Sequence, residues 1–153
     1  MSSKVAKAGQ SKIGWCLKQK KGIEIVEQNE NLSERYFSEA QETLQQIQGT
    51  GSKWDVIMAY YGCYNALYSI LMKAGIKSEI HDCTIELITI IDGFNGTDYS
   101  FMSNLKYKRI RAQYYLESQT LDNLQEVKKF VVKCHTIVEA LDIIKLRKKI
   151  NEK

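Results

Sequence analysis

Hydrophobic and polar positions along most of this chain follow the three- and four-residue spacing of amphipathic helices. In the first such segment Leu32, Tyr36, Phe37, Ala40 and Leu44 fall on one face. Asn31 or Ser33 is expected to cap it, and glycine or serine clusters at 49–52, 93–96 and 118–120 separate it from later segments. The helices predicted in this way are 31–48, 53–74, one from Asp82, one from about Asp98, and one from about 121 with Thr120 as its cap. The pattern predicts an all-α fold, an antiparallel bundle of four or five helices.

The segment from Lys53 to Ala74 is the most apolar of these, with no charged residue between Val56 and Met72. A membrane span needs about 20 predominantly apolar residues, so its length is borderline. Asn65, Ser69 and several tyrosines would place polar groups in hydrocarbon, which is costly. We therefore interpret it as a buried central helix and expect no membrane association.

Residues 1–30 differ from the rest and are predicted to be a flexible basic arm followed by an extended segment. Residues 1–21 carry six lysines and no acid, with Trp15 and Leu17 as the sizeable apolar anchors. Residues 22–27 alternate enough to be extended, but no run is long enough to predict a sheet. The basic ends of the chain can attract nucleic acid, but we interpret them as solvated tails. The helical bundle is assigned to residues 31–150.

The composition fits one domain with free thiols. The chain has 153 residues, no proline and four cysteines without a C-x-x-C pair. The first 21 residues contain no apolar core segment, so we expect no secretory signal. Together these features predict a cytoplasmic location, four reduced cysteines and no cofactor.

Four stretches resemble the HEPN domain family, particularly its archaeal and bacterial single-domain members. They are LSERYFSEA (32–40), AYYGCYNAL (59–67), AGIKSEIHD (74–82) and RIRAQYY (109–115). The resemblance covers roughly residues 31–145 and implies a helical bundle that often forms a homodimer. It also implies relatives that act as metal-independent endoribonucleases, many of them toxins paired with a small nucleotidyltransferase.

Those ribonucleases carry an arginine followed four to six residues later by a histidine. The arginine can hold the scissile phosphate, and the histidine can move a proton near neutral pH. This chain departs from the pattern, because no histidine follows Arg109 or Arg111 at that distance. Tyr115 is a poor base, since the ordinary pKa of tyrosine is about 10. Arg111, Tyr115 and His81 are therefore only weak catalytic candidates.

The fourth predicted helix carries the strongest candidate binding surface. Tyr107, Arg111, Tyr114 and Tyr115 have spacings that favour one face, and Lys106, Lys108 and Arg109 flank them. Aromatic rings can stack on bases while guanidinium groups hold phosphate. A half-buried dimer interface is the alternative, because tyrosine and arginine are enriched there too. The candidate binding residues for nucleic acid or a nucleotide are Lys106, Tyr107, Arg109, Arg111, Tyr114 and Tyr115, with Arg111 expected to matter most.

Two other neighbourhoods are interpreted as structural. His81 is expected to pack or cap a helix start, with a displaced base beside Asp82 as the alternative. The pairs His81–Cys83 and Cys134–His135 could suggest zinc, but their spacing fits no known finger and we expect no metal. The chain also lacks the glycine-rich phosphate-binding and nucleophile-elbow motifs.

Three functions remain open from the sequence. The first is a non-catalytic HEPN module that binds RNA or a nucleotide, or docks on a partner such as a nucleotidyltransferase. The second is a divergent metal-independent endoribonuclease, and the third is a plain homodimeric interaction scaffold. The absent histidine leaves enzymatic activity uncertain and favours the first and third.

Overall fold

The computed structural model describes residues 11–153, and within them the all-α class is confirmed. The elements in chain order are α1 (Lys12–Lys18), β1 (Ile23–Ile25), α2 (Glu30–Gln45), α3 (Lys53–Ala74), β2 (Ile76–Ser78), α4 (His81–Glu86), a 3-10 helix (Leu87–Thr89), α5 (Gly96–Gln113), α6 (Leu124–Ala140) and α7 (Ile143–Asn151). Four long helices form the bundle, as expected. The additional helices α1, α4 and α7 are short, which is why the sequence pattern did not resolve all of them.

Helix α3 is the centre of the fold and has the predicted bounds. Ser52 caps its start and Gly75, in the left-handed conformation, ends it. Helices α2, α5, α6 and α7 all pack against it, so most of its side chains are buried. Gly62 allows close approach of α2, because a Cβ at this position would lie 2.9 Å from Leu44 Cδ2. Among residues 11–153, no helix is both long enough and apolar enough to cross a membrane.

The expectation of no sheet is wrong, although the sheet is small. Strand β1 pairs antiparallel with β2, with Ile23 opposite Ser78 and Ile25 opposite Ile76. The extended interpretation of residues 22–27 is confirmed for Ile23–Ile25. Each strand has three residues, too few for a period-two pattern to predict a partner far along the chain.

The arm is more ordered than predicted from residue 11 onward, and one pair of cysteines is not free. Ser11 caps the start of helix α1, and its hydroxyl accepts a hydrogen bond from Gly14 N.

Cys16 in α1 forms a disulfide with Cys83 in α4, and both residues are fully buried. Pairing across 67 positions cannot be read from cysteine spacing. Cys63 and Cys134 are free and buried. The rest of the predicted flexible arm, residues 1–10, lies outside the described residues.

Several helix boundaries differ from the predictions because other side chains provide the caps. Asn29 caps α2 and Asn123 caps α6, whereas Asn31, Ser33 and Thr120 were expected there. Asp82 does not cap α4, since Ile80 stands at the N-cap position without a side-chain bond. Helix α5 starts with a capping box between Asn95 and Asp98.

The basic C-terminal end of the described chain is a docked helix rather than the solvated tail that the sequence suggested. Asp142 caps α7 by accepting from Lys145 N, and Leu146 and Ile150 are buried in the core. Arg147 Nη1 donates to the carbonyl oxygens of Val26, Ala74 and Gly75. The Arg147 cation therefore joins the end of α3 to the segment after β1 through carbonyl oxygens.

Candidate functional site

The predicted binding residues of α5 fall into two groups instead of one face. The spacing of Arg109 and Arg111 turns their side chains to different sides of the helix. We call the first group the Arg109 cleft, which comprises Tyr60, Tyr61, His81, Arg109 and Tyr114. We call the second the Arg111 cluster, which comprises Tyr107, Arg111, Tyr115 and Glu117.

Arg109 is an almost completely buried cation. Its exposed fraction is 5%, and its guanidinium carbon lies 4.6 Å from the ring centroid of Tyr60 and 5.4 Å from that of Tyr61. The ring of Tyr114 lies 5.7 Å away on the solvent side, with two-thirds of that residue exposed. The faces of aromatic rings stabilise a desolvated cation without neutralising it.

The polar contacts of Arg109 do not supply a counter-ion. Its Nη1 donates to Gln113 Oε1 at 3.3 Å, and its enclosed Nε has no partner. Within residues 11–153 no carboxylate forms an ion pair with this guanidinium. Buried charges are normally paired. The positive charge is therefore available to an anionic ligand.

His81, the first residue of α4, lies in the same cleft. Its Nδ1 is 2.7 Å from the hydroxyl oxygen of Tyr60, and its ring stacks on Tyr64 at a centroid distance of 4.3 Å. Burial lowers the pKa of His81, and the positive charges of Arg109 and Lys106 lower it further against the opposing effect of Asp82. His81 is therefore expected to be neutral at pH 7.

A row of tyrosines spaced four residues apart on α3 packs behind Arg109 and His81. Tyr60, Tyr64 and Tyr68 follow one another with centroid distances of 5.7 and 6.0 Å. Burial raises the pKa of the first two, so both hydroxyl groups are protonated. Tyr64 donates to Thr84 Oγ1 at 2.9 Å, which ties α3 to α4 below His81.

Arg109 and His81 border an open cleft of about 460 Å³. The volume is within the range of small-ligand sites. The lining residues are Tyr61, His81, Arg109, Ile110, Tyr114 and Tyr115. A buried guanidinium, an imidazole and exposed aromatic rings thus face one space.

The Arg111 cluster has a different charge balance. The Arg111 guanidinium forms an ion pair with Glu117, and its carbon lies 4.4 Å from the Tyr115 ring and 5.9 Å from the Tyr107 ring. The hydrogen bond from Arg111 lowers the pKa of Glu117 and raises that of Arg111. Arg111 already has a counter-ion, so a ligand would have to displace Glu117.

A turn follows Tyr114 and Tyr115 at the end of α5, and both tyrosines line the cleft. Leu116 has a positive φ of 55°, and Glu117 N donates to Arg111 O at 3.0 Å. A non-glycine residue in the left-handed region is strained. Tyr107, Tyr114, Tyr115 and Leu116 are all exposed here, which gives a local apolar surface.

The neighbouring lysines of α5 are paired with acids. Lys106 Nζ lies 2.9 Å from Asp82 Oδ1, and Lys108 Nζ lies 2.5 Å from Asp122 Oδ2. Lys106 therefore holds α4 against α5 beside His81. Lys108 instead anchors the loop before α6.

A second cavity lies between α6, α7 and the turn at Gly93. Its volume is about 270 Å³, and Asp92 on its rim pairs with Lys145 and Lys149. Hydrogen bonds from these lysines lower the pKa of Asp92 to about 2. Asp92 and the two lysines already form ion pairs with one another. This cavity is therefore less suited to a charged ligand than the Arg109 cleft.

No metal site is formed by the described part of the chain. No three His, Cys, Asp or Glu side chains within residues 11–153 converge as ligands for an ion. Cys83 is in the disulfide, and Cys134 is buried in the core with its pKa raised by that burial. The pairs of histidine and cysteine in the sequence therefore belong to packing.

Comparison with known protein families gives no matching family model, and no curated protein sequence matches the chain.

Sequence reasoning found Arg109, Tyr114 and His81 but missed that they share a cleft. It assigned Tyr60 and Tyr61 to the core helix without a role in the site. The available signal was the position of His81 a few residues after the glycine that ends α3, which brings it back beside the tyrosine row. The four-residue spacing of Tyr60 and Tyr64 was a second signal.

Proposed function

We propose that this chain is a non-catalytic HEPN-type module that binds RNA or a nucleotide in the Arg109 cleft. The observation that carries the proposal is the buried guanidinium of Arg109, which has aromatic neighbours and no carboxylate partner among the described residues. Its anionic partner is then the ligand. The geometry moves the main role in binding from Arg111, which Glu117 neutralises, to Arg109.

The chemistry of the cleft fits a nucleotide unit. Arginine holds phosphate oxygens through charge-assisted hydrogen bonds. The exposed rings of Tyr114 and Tyr115 offer faces on which unstacked bases can lie. Phosphate and base could then be held within one cleft.

A divergent metal-independent endoribonuclease is the second candidate, and one observation favours it. His81 lies beside Arg109 although the sequence lacks the family's arginine–histidine spacing. An arginine on the scissile phosphate and a neutral imidazole as proton carrier are suitable groups for RNA cleavage. Tyr115 and Arg111 lie at the edge of this arrangement.

The proposal extends to partners and location. The exposed Tyr107, Tyr114, Tyr115 and Leu116 support docking of a second copy or of a nucleotidyltransferase partner of the toxin–antitoxin type. A plain homodimeric scaffold would use the same surface without RNA. We also propose a cytoplasmic location, where the Cys16–Cys83 disulfide would be an unusual feature.

One experiment separates the three functions. The native protein is titrated into labelled single-stranded and structured RNA without metal, at low and moderate salt, and binding and cleavage are scored together. We expect salt-sensitive binding without cleavage. Arg109→Ala should weaken binding at least tenfold, whereas Lys148→Ala, a surface control on α7, should not.

Two other outcomes of this experiment would favour a different function. Cleavage that Arg109→Ala and His81→Ala both abolish would support the ribonuclease. Neither binding nor cleavage by a folded dimer would support the scaffold and overturn the proposal.

A further inference from the structure

The hydroxyl group of Tyr60 has a proton that needs an acceptor. Tyr60 is fully buried, so water does not solvate this group. Its close polar neighbour is His81 Nδ1 at 2.7 Å. A buried hydroxyl proton without an acceptor would be costly.

The other polar groups around Tyr60 cannot take this proton. Arg109 has only donor groups, so it can donate to the tyrosine oxygen but cannot accept from it. Tyr64 lies next along α3, but its hydroxyl donates to Thr84 and forms no hydrogen bond with Tyr60. No other acceptor for the Tyr60 hydroxyl proton occurs among residues 11–153. The Tyr60 hydroxyl must therefore donate to His81 Nδ1.

A neutral imidazole that accepts at Nδ1 carries its proton on Nε2. The groups that face the ring support the neutral form. Arg109 and Lys106 from α5 are positive, Tyr60 and Tyr64 from α3 are uncharged, and Asp82 on α4 pairs with Lys106. The Nε2 atom has no hydrogen-bond partner in the described structure, and the His81 side chain lines the cleft.

We propose that Tyr60 is a positioning residue that fixes His81 as the Nε2–H tautomer, so that His81 presents a hydrogen-bond donor to a ligand acceptor oxygen held beside Arg109. The tautomer concerns the free protein. The ligand part rests on the proposed function, with a phosphate oxygen as the acceptor that both donors would share.

This assignment bears on catalysis. An Nε2 that already carries a proton cannot remove one from a ribose hydroxyl. To act as a base, His81 would first have to move its proton to Nδ1, which Tyr60 occupies. The arrangement therefore favours ligand binding over the ribonuclease alternative.

The tautomer is tested by nitrogen-15 NMR of the two histidine side chains, which are those of His81 and His135. At neutral pH we expect His81 to be wholly the Nε2–H tautomer and the exposed His135 to average both forms. In Tyr60→Phe the His81 signals should move toward that average. A protonated Nδ1 at His81, or averaging in the native protein, would overturn the proposal, and the native spectrum decides this even if Tyr60→Phe does not fold.

The role of the donor is tested with two amide variants in RNA titrations. The glutamine of His81→Gln can place an N–H near the Nε2 position, whereas the asparagine of His81→Asn reaches only the Nδ1 position. We expect near-native affinity for glutamine and about tenfold weaker binding for asparagine. Equal affinities would contradict the donor role.

These readouts separate two failures. If the native protein binds no RNA while His81 shows the Nε2–H tautomer, the proposed function fails and the Tyr60–His81 assignment stands. If RNA binds but His81 populates both tautomers in the free protein, the Tyr60–His81 assignment fails and the proposed function stands.

Discussion

At the scale of single residues, the important feature is a charge that the fold buries without a partner. Arg109 lies between tyrosine rings, and Gln113 is the neutral group that bonds it. Such a site is costly unless a ligand or the rings compensate the charge. It is also ready for binding, because no ion pair has to be broken first. Arg111, two residues away, lacks this property because of Glu117.

His81 predicts a pH dependence of stability. Its pKa is lower in the folded protein than the ordinary value of about 6.5, so the unfolded state binds more protons between those two values. The free energy of unfolding should therefore fall as pH drops from about 7 through that window. Urea unfolding of the native protein and of His81→Gln checks this, since the variant should lose part of the slope.

His135→Gln is the control for that series, because it removes the other, exposed histidine. In this variant the free energy of unfolding should still show the part of the pH dependence that comes from His81. A native slope that His81→Gln leaves unchanged would be inconsistent with the lowered pKa.

Replacing Gly75 by alanine should strongly lower the stability of the fold. Its φ is 75°, and an added Cβ would collide with Arg147 Nη1 and the carbonyl oxygen of Val26. Strain and collision together should lower the stability of Gly75→Ala by about 2–4 kcal/mol. Gly49 has a similar φ of 72° with open space around it, so Gly49→Ala should cost about 1 kcal/mol. Equal losses in chemical unfolding would show that the packing at Gly75 is looser than described.

At the scale of elements, the fold depends on where short segments dock. Helices α1, α4 and α7 are too short to be stable alone and need tertiary contacts. Helix α4 carries His81, and it is held by Thr84, by Lys106 from α5 and by the disulfide. The position of His81 is therefore a property of this whole junction.

Arg147 tests the docking of α7. Its three carbonyl contacts join α7 to the end of α3 and to the segment after β1. Arg147→Ala should lower stability by about 2 kcal/mol, since these are charge-assisted bonds. Lys148→Ala is the matched control, because Lys148 is exposed and has no ion pair in residues 11–153. Faster proteolysis near the C-terminus only in Arg147→Ala would confirm the docking, and equal rates would contradict it.

The long elements were predictable and the short ones were not. The bounds of α3 follow from Ser52 and Gly75, strong local signals that flank the charge-free run from Val56 to Met72. Helix α7 was missed because its amphipathic pattern continues that of α6 almost without interruption. The break at Asp142 became visible only through the cap that it provides.

At the scale of the whole molecule, the disulfide joins the N-terminal segment to the bundle. A cross-link between positions 67 apart restricts the unfolded chain by about 4 kcal/mol in the chain-entropy description. The double variant Cys16→Ser/Cys83→Ser should lose up to that amount. Its unfolding is compared with that of the native protein under non-reducing conditions.

A thiol count gives an independent check. In denaturant without reductant we expect two reactive thiols, from Cys63 and Cys134, and four after reduction. Four thiols before reduction would contradict the disulfide and return all four cysteines to the reduced state expected from the sequence.

The candidate site shows why sequence reasoning stopped where it did. Helical spacing placed Arg109 and Tyr114 on α5 and suggested their chemistry. It could not reveal that α3 supplies Tyr60 and Tyr61 and that α4 supplies His81, because such contacts depend on how helices pack. The ion pair between Arg111 and Glu117 also depends on the turn at Leu116, whose positive φ is unexpected for leucine.

The most direct test of ligand binding in the Arg109 cleft is an NMR titration of the native protein with a short single-stranded RNA, following both histidine side chains. His81 lies in the cleft, whereas His135 is outside it, stacked on Phe37. We predict that the His81 signals shift in proportion to bound RNA and that those of His135 stay in place. Saturable RNA binding that shifts His135, or leaves His81 unchanged, would contradict the assignment of the cleft.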